Sequence, residues 1–158
     1  MKRLIDLILS LVLALFLLLP ILVIAVLIKL TSKGSVIYWS DRVGKKNTIF
    51  KMPKFRTMHE STPPVATHLL ADPNRALTPT GHFLRKLSLD EIPQLINVIK
   101  GDMSIVGPRP NVEPDALLYT KDETAILAVL PGITDLSSIV FSDEGKILKG
   151  SKNPDLRY

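Results

Sequence analysis

The sequence predicts an α+β chain in which a membrane helix precedes a small, mainly helical domain with a short β-hairpin. Three observations predict it. Residues 7–28 are 22 consecutive positions without a charge. Two short runs rich in β-branched and aromatic residues flank Gly44. Further on, apolar residues recur at helical spacing within 92–99 and within 117–130. The boundary between the two parts falls after Lys33, giving a membrane segment, 1–33, and a domain, 34–158.

The apolar run comes first. As a helix it spans roughly 33 Å, enough to cross a hydrocarbon core. Only Ser10 and Pro20 interrupt it, and it has no polar face. A cleaved signal peptide would have a shorter core and a small-residue cleavage site; this run ends instead in Lys29-Leu30-Thr31-Ser32-Lys33. Lys2 and Arg3 precede the run and Lys29 and Lys33 follow it. Basic flanks prefer the cytoplasm, and a straight span cannot put both there. A helix broken in the bilayer can, and Pro20 supplies a break because it lacks an N–H and clashes with the preceding turn. The freed carbonyls then need other partners. Prolines are common in transmembrane helices, so the residues alone lean towards a straight span, with re-entry as the alternative.

Composition narrows the rest. There is no cysteine, which excludes a disulfide scaffold, a thiolate metal site and a cysteine nucleophile, and fits a reducing compartment. With 46 % apolar and 22 % charged residues, wholesale disorder is excluded too. The net charge of +5 is unevenly placed: residues 29–56 hold eight basic side chains against one acid, and residues 57–158 hold ten against thirteen. Such a basic stretch beside a membrane segment attracts anionic headgroups, at about 1 kcal/mol per residue near the surface. It also suits a phosphorylated substrate. Nucleic acid is disfavoured, since the stretch has few aromatics and no recognisable binding module.

The hairpin strands are predicted at 36–39 and 48–51. Residues 62–79 carry four prolines and read as a long functional loop. Residues 115–130 read as one amphipathic, core-facing helix. Between them, Ile92, Leu95, Ile96 and Ile99 share one helical face. Ser88 and Glu91 have capping-box spacing, Pro93 suits a first turn, and Gly101 suits a helix stop.

That helix start places Asp90 and Glu91 where the dipole favours ionised carboxylates, with Arg85 and Lys86 favouring the same state. An ionised Asp is a competent nucleophile towards phosphorus; acids are also enriched in first turns for stability alone. Neighbours on a helix point about 100° apart, so the two suit separate tasks better than the facing pair of a glycosidase. Arg109, held between Pro108 and Pro110, offers a bidentate fork for phosphate, or is a surface arginine in a stiff loop. Asp102 is a candidate cation ligand or a turn-bonding residue. His59, His68 and His82 lie nine and fourteen residues apart, on no common face, and predict no zinc site.

Taken together, Lys54-Phe55-Arg56-Thr57-Met58, the run 84–98 around Asp90-Glu91-Ile92-Pro93-Gln94, the run 100–110 ending Gly107-Pro108-Arg109-Pro110, and Pro131-Gly132-Ile133-Thr134 resemble the bacterial sugar transferases, the monotopic phosphoglycosyl transferases. Order and spacing both fit, from the N-terminus to the end of the chain. The resemblance implies a transfer of sugar-1-phosphate from a UDP-sugar to undecaprenyl phosphate with release of UMP. This starts lipid-linked glycan assembly at the cytoplasmic face of the bacterial inner membrane and requires Mg²⁺. It implies that Asp90 is the nucleophile of a covalent phosphosugar intermediate and that Glu91 assists with metal or proton handling. Arg56, Arg85 and Arg109 are implied to hold phosphate. It also implies that the N-terminal segment is re-entrant, broken at Pro20, which shifts the expectation away from a straight span. Departures are Leu19 where the family often has Ser before the proline, Pro53 where an aromatic is common, and Asp135 where glycine is common. The chain ends at Tyr158, shorter than typical members, and is expected to be truncated there. The alternatives are a membrane-anchored binding or scaffold protein without chemistry, and a direct transferase with no covalent step.

Overall fold

The computed structural model describes residues 1–63 and 72–135. Its N-terminal segment is two helices, α1 (Lys2–Phe16) and α2 (Leu18–Thr31), with axes bent by 58°. No single helix among the described residues is long and apolar enough to cross a membrane; the bent pair together is. The break falls at Leu17, three residues before the proline expected to cause it. The offset follows from proline chemistry: Pro20 cannot donate to the carbonyl of Phe16, and its ring collides with that carbonyl. The ladder holds on either side, with Leu17 N–H donating to Leu13 at 2.8 Å and Ile21 N–H to Leu17 at 2.8 Å.

Both ends of the bent pair meet the same body. At the start, Arg3 donates to the carbonyls of Val98 and Ile99, the latter at 3.0 Å. These are last-turn acceptors of α5 (Leu95–Lys100), where a cation complements the helix dipole. Lys2 reaches Ser104 and the Val106 carbonyl. The buried Asp6 accepts from Ser104 Oγ at 2.8 Å and from Ile105 N–H at 3.3 Å. At the far end, Ile24 and Ile28 pack into a core with Phe55 and Leu84. Between these anchors the apolar residues are uncovered: Leu15 is 77 % exposed, Phe16 79 % and Leu19 71 %. A patch that size needs another apolar medium.

The hairpin is longer than predicted, β1 (Ile37–Val43) against β2 (Ile49–Phe55), antiparallel, with Ser40 opposite Met52 and Tyr38 opposite Lys54. Lys46 and Asn47 turn the chain with positive φ. The long-loop expectation is corrected in part. Asp72 caps a single helical turn, α3 (Pro73–Ala76), and Met58 bridges Leu77; residues 64–71, with His68, lie outside the described residues. Thr78 caps α4 (Pro79–Lys86), donating its N–H and its hydroxyl to the Thr57 carbonyl.

Two further expectations are corrected. The capping box at Ser88 does not form: Ser88 is left-handed (φ 54°) and makes no side-chain cap. A 3₁₀ segment, Leu89–Gln94, precedes α5. That tighter winding shifts the helical phase, so Gln94, Leu95, Asn97 and Val98 are buried and Ile96 is exposed. Gly101 does end the helix, with φ 101°. Nor is 115–130 one amphipathic helix. It is α6 (Glu113–Ala116) and a 3₁₀ turn (Glu123–Ala128), with Leu117 and Leu118 exposed between them. The reciprocal cap forms here instead: Glu123 Oε2 accepts from Thr120 N–H at 2.7 Å, and Glu123 N–H donates to Thr120 Oγ1 at 3.3 Å.

A parallel pair absent from the sequence prediction closes the fold, β3 (Ser104–Val106) against β4 (Gly132–Thr134). A Cβ on Gly132 would lie 2.1 Å from the Gly107 nitrogen, so the close approach of these backbones requires glycine there. The Asp6 anchor yields a test. Asp6→Ala leaves the Ile105 N–H short of an acceptor and the Ser104 hydroxyl with only the Val106 carbonyl at 3.1 Å, and should destabilise the chain by about 1–3 kcal/mol. A thermal midpoint in detergent equal to that of the unaltered chain would show that α1 is held elsewhere.

Candidate active site

β2 and the 3₁₀ segment Leu89–Gln94 pack together and bring Lys54 against Glu91, Nζ to Oε1 at 2.6 Å. Both side chains are about one-fifth exposed, at 19 % and 18 %. Arg109 reaches the same Glu91 oxygen at 3.4 Å. The Pro108-Arg109-Pro110 turn is fixed from behind: Gly107 N–H donates to Thr134 at 3.1 Å, Gly132 N–H to Pro108 at 2.9 Å, and Arg109 N–H to the Asp135 carboxylate at 3.1 Å. An open cleft of about 250 Å³ lies here, lined by Arg42, Met52, Lys54, Glu91, Gln94, Arg109, Pro110, Gly132 and Ile133.

Asp90 is 8 % exposed. Burial raises its pKa above the ordinary carboxylate range; Lys54 pulls it down, Glu91 adds to the rise, and Arg85 opposes it. Arg85 donates Nε to Thr57 Oγ1 at 2.9 Å, and burial lowers its own pKa while Asp90 raises it. It stays cationic, as guanidinium does in proteins. A poorly hydrated carboxylate flanked by cations, beside an open cleft, is a standard setting for a nucleophile or a general base.

The bacterial sugar transferase profile matches residues 1–158. The chain belongs to that family. Its relatives include the exopolysaccharide production protein ExoY of Sinorhizobium fredii, 41 % identical over 155 residues, covering 87 % of this chain and 68 % of the relative. The UDP-N-acetylgalactosamine-undecaprenyl-phosphate N-acetylgalactosaminephosphotransferase of Aeromonas hydrophila is 46 % identical over 86 residues, covering 54 % and 20 %. The undecaprenyl-phosphate galactose phosphotransferase of Salmonella typhimurium is 42 % identical over 118 residues, covering 65 % and 25 %. The sugar transferase thus spans about two-thirds of ExoY and a fifth to a quarter of the two larger relatives.

Of the residues singled out from sequence, Arg85, Asp90, Glu91 and Arg109 converge in this sugar transferase. Arg56 sits elsewhere, at the base of α2. It is buried, and its Nη2 donates to Ser32 Oγ at 2.9 Å. Its Nε and Nη1 have no hydrogen-bond partner. Asp102 takes the turn role, accepting from Asn97 Nδ2 at 3.1 Å. Two cleft residues were not singled out, Lys54 and Arg42. Period-2 alternation in the hairpin offered a signal for both, since positions 40, 42, 52 and 54 share a face.

The raised Asp90 pKa has a consequence for stability. The folded chain binds this proton more tightly than the unfolded chain. The group's contribution is therefore fully present below the ordinary carboxylate pKa and is lost as pH rises through the raised value. At neutral pH an ionised Asp90 costs stability. Asp90→Asn should raise the thermal midpoint at pH 7 and flatten its decline between acidic and neutral pH; a lowered midpoint at pH 7 would contradict the assignment.

Proposed function

We propose that this sugar transferase moves a sugar-1-phosphate from a UDP-sugar to undecaprenyl phosphate, with Asp90 as the covalent nucleophile. The observation that carries the reading is the buried Asp90 next to Glu91, which Lys54 and Arg109 hold in an open cationic cleft, with the charges of Lys54 and Arg85 acting on Asp90. The names of relatives support the acceptor: the Aeromonas and Salmonella proteins are named for undecaprenyl phosphate.

In the first step an Asp90 oxygen bonds to the sugar-bearing phosphorus. The bond from that phosphorus to the bridging oxygen breaks, and its electron pair leaves on UMP. In the second, an oxygen of undecaprenyl phosphate attacks the same phosphorus and frees the Asp90 carboxylate. Neither step needs both substrates at once. Arg85 and Arg109 offset charge on the transferring group.

Asp90 and Glu91 would hold Mg²⁺. No third His, Cys, Asp or Glu completes a metal site among the described residues. Two carboxylates still fit this ion, which keeps waters and takes substrate phosphates as its other ligands. When bound it supplies positive charge to the phosphoryl oxygens.

The N-terminal pair is re-entrant in this reading, entering and leaving by the cytoplasmic face of the inner membrane. What supports it is that Arg3 and Asp6 at one end, and Ile24 and Ile28 at the other, contact one body. A straight span would draw those ends about 30 Å apart across the bilayer.

UMP release should appear when the chain, reconstituted with undecaprenyl phosphate, meets the right UDP-sugar. Asp90→Asn should abolish it and Glu91→Gln should remove most of it. UMP release at an unaltered rate by Asp90→Asn would remove Asp90 from the mechanism, and no release from any UDP-sugar would favour a scaffold. Intact-protein mass spectrometry under trapping should show a phosphosugar adduct; turnover without one would indicate direct transfer. Cysteines introduced by Lys2→Cys and Lys29→Cys should label from one side of sealed vesicles. Labelling from opposite sides would exclude re-entry.

A further inference from the structure

The cleft holds a cation that neither the sequence motifs nor the proposed chemistry at Asp90 uses. Arg42 lies on β1, on the hairpin face that also carries Ser40, Met52 and Lys54. Its guanidinium is oriented from two directions: Nε donates to Ser40 Oγ at 3.0 Å, and Nη1 points to the Pro110 carbonyl at 3.5 Å. The strand is itself tied to that loop, since Val43 N–H donates to the Asn111 carbonyl at 2.9 Å. Arg42 is therefore set beside the Arg109 turn by the fold and does not sweep freely over the surface.

Its position along the cleft decides what it meets. Arg42 pairs with Phe50 across the hairpin, and Lys54 lies four residues further along β2. At about 3.3 Å per residue, the two backbone positions are roughly 13 Å apart. Lys54 and Arg109 both bond Glu91, next to the attacking carboxylate. On the hairpin face that lines the cleft, Arg42 and Lys54 thus occupy positions well apart along the strands, and Arg109 reaches Glu91 at the Lys54 end. A single phosphate needs one focus of charge; a nucleoside diphosphate needs a row. Arg42, Lys54 and Arg109 against Glu91 leave two positive charges in excess among the lining residues. Met52 and Ile133 give the cleft an apolar floor, on which such charge acts through less water.

We propose that Arg42 binds the nucleoside-side phosphate of the diphosphate donor, the one that departs as nucleoside monophosphate. Lys54 and Arg109 remain with the phosphate that is transferred. This deepens the function proposed above and rests on it for the identity of the donor. The electron pair of the breaking phosphorus–oxygen bond stays on the oxygen of the departing phosphate, and Arg42 offsets that charge, its fork holding two oxygens of the group.

The test is nucleotide binding, with UMP as the probe, on the full chain in detergent. Arg42→Ala should weaken UMP binding at least tenfold relative to the unaltered chain. Arg42→Lys should recover only part, because an ammonium keeps the charge and loses the fork. Ser40→Ala should weaken binding less than Arg42→Ala, by freeing Nε. If Arg42→Ala fails to fold, the Lys and Ser40 variants carry the test. Equal UMP affinity in the unaltered chain and the variants, or no UMP binding by the unaltered chain, overturns the proposal. The readout is independent of turnover: UMP binding that depends on Arg42, with no phosphosugar adduct on Asp90, would keep this inference and reject the covalent step.

Discussion

The ion pair between Lys54 and Glu91 is the join on which the candidate site depends. It fastens the hairpin to the 3₁₀ segment that carries Asp90, at 2.6 Å with little solvent on either side chain. Removing one partner of such a pair leaves the other as a poorly hydrated charge, a larger penalty than the pair's own net worth. Lys54 acts twice, because its field also reaches Asp90 and draws that carboxyl back towards ionisation. Arg109 joins the same Glu91 oxygen from a third segment. Positions 54, 90–91 and 109 are brought to one place by charge as much as by apolar packing. Burial raises the Asp90 pKa and the surrounding cations limit the rise.

The N-terminal helix pair belongs to the domain's interior as well as its exterior. Ile28 is fully buried and Ile24 nearly so, against Phe55 at the end of β2 and Leu84 on α4. Phe55 precedes Arg56, whose side chain is bonded to Ser32 just beyond α2, and Thr57, whose hydroxyl accepts from Arg85. One short stretch of chain therefore touches the helix pair and, through Arg85, the surroundings of Asp90. A shift of α2 cannot leave Arg85 unaffected, because the two share this backbone. The apolar remainder of the pair faces outwards, so the same two helices fill a core at their bases and expose apolar side chains at their bend.

What the sequence could and could not show divides along physical lines. Local rules located the hairpin and the stop at Gly101, since each rests on neighbouring residues; they offered Pro20 as a possible break while leaning towards a straight span, and the bent pair was expected from the family resemblance. The errors came where tertiary contacts override local preference. Ser88 and Glu91 have capping-box spacing, but Glu91 is held by Lys54 and Arg109 and does not turn back to cap. Ile96 has core spacing, but the 3₁₀ turn before it rotates Asn97 inward, where its amide donates to the Lys51 carbonyl at 2.9 Å. The parallel β3–β4 pair joins residues some 28 positions apart, and nothing in either three-residue run announces a strand. Arg42 and Lys54 were two among eight basic residues, and only the hairpin register separates them from Lys51, which pairs with Asp41 on the opposite face.

The cleft's shape bears on why a covalent step would suit this architecture. The cleft is an open groove that does not enclose a ligand on all sides. A nucleotide sugar and a polyprenyl phosphate held side by side would crowd it. Two anionic substrates bound together would also repel each other across the few cations available. Storing the sugar phosphate on a carboxylate, as proposed, would remove both difficulties. The nucleotide would depart before the lipid phosphate arrived, and the same cations would serve each anion in turn. A carboxylate in that role would gain from poor hydration and from positive charge that favours its ionised form; burial raises the Asp90 pKa, and Lys54 and Arg85 lower it.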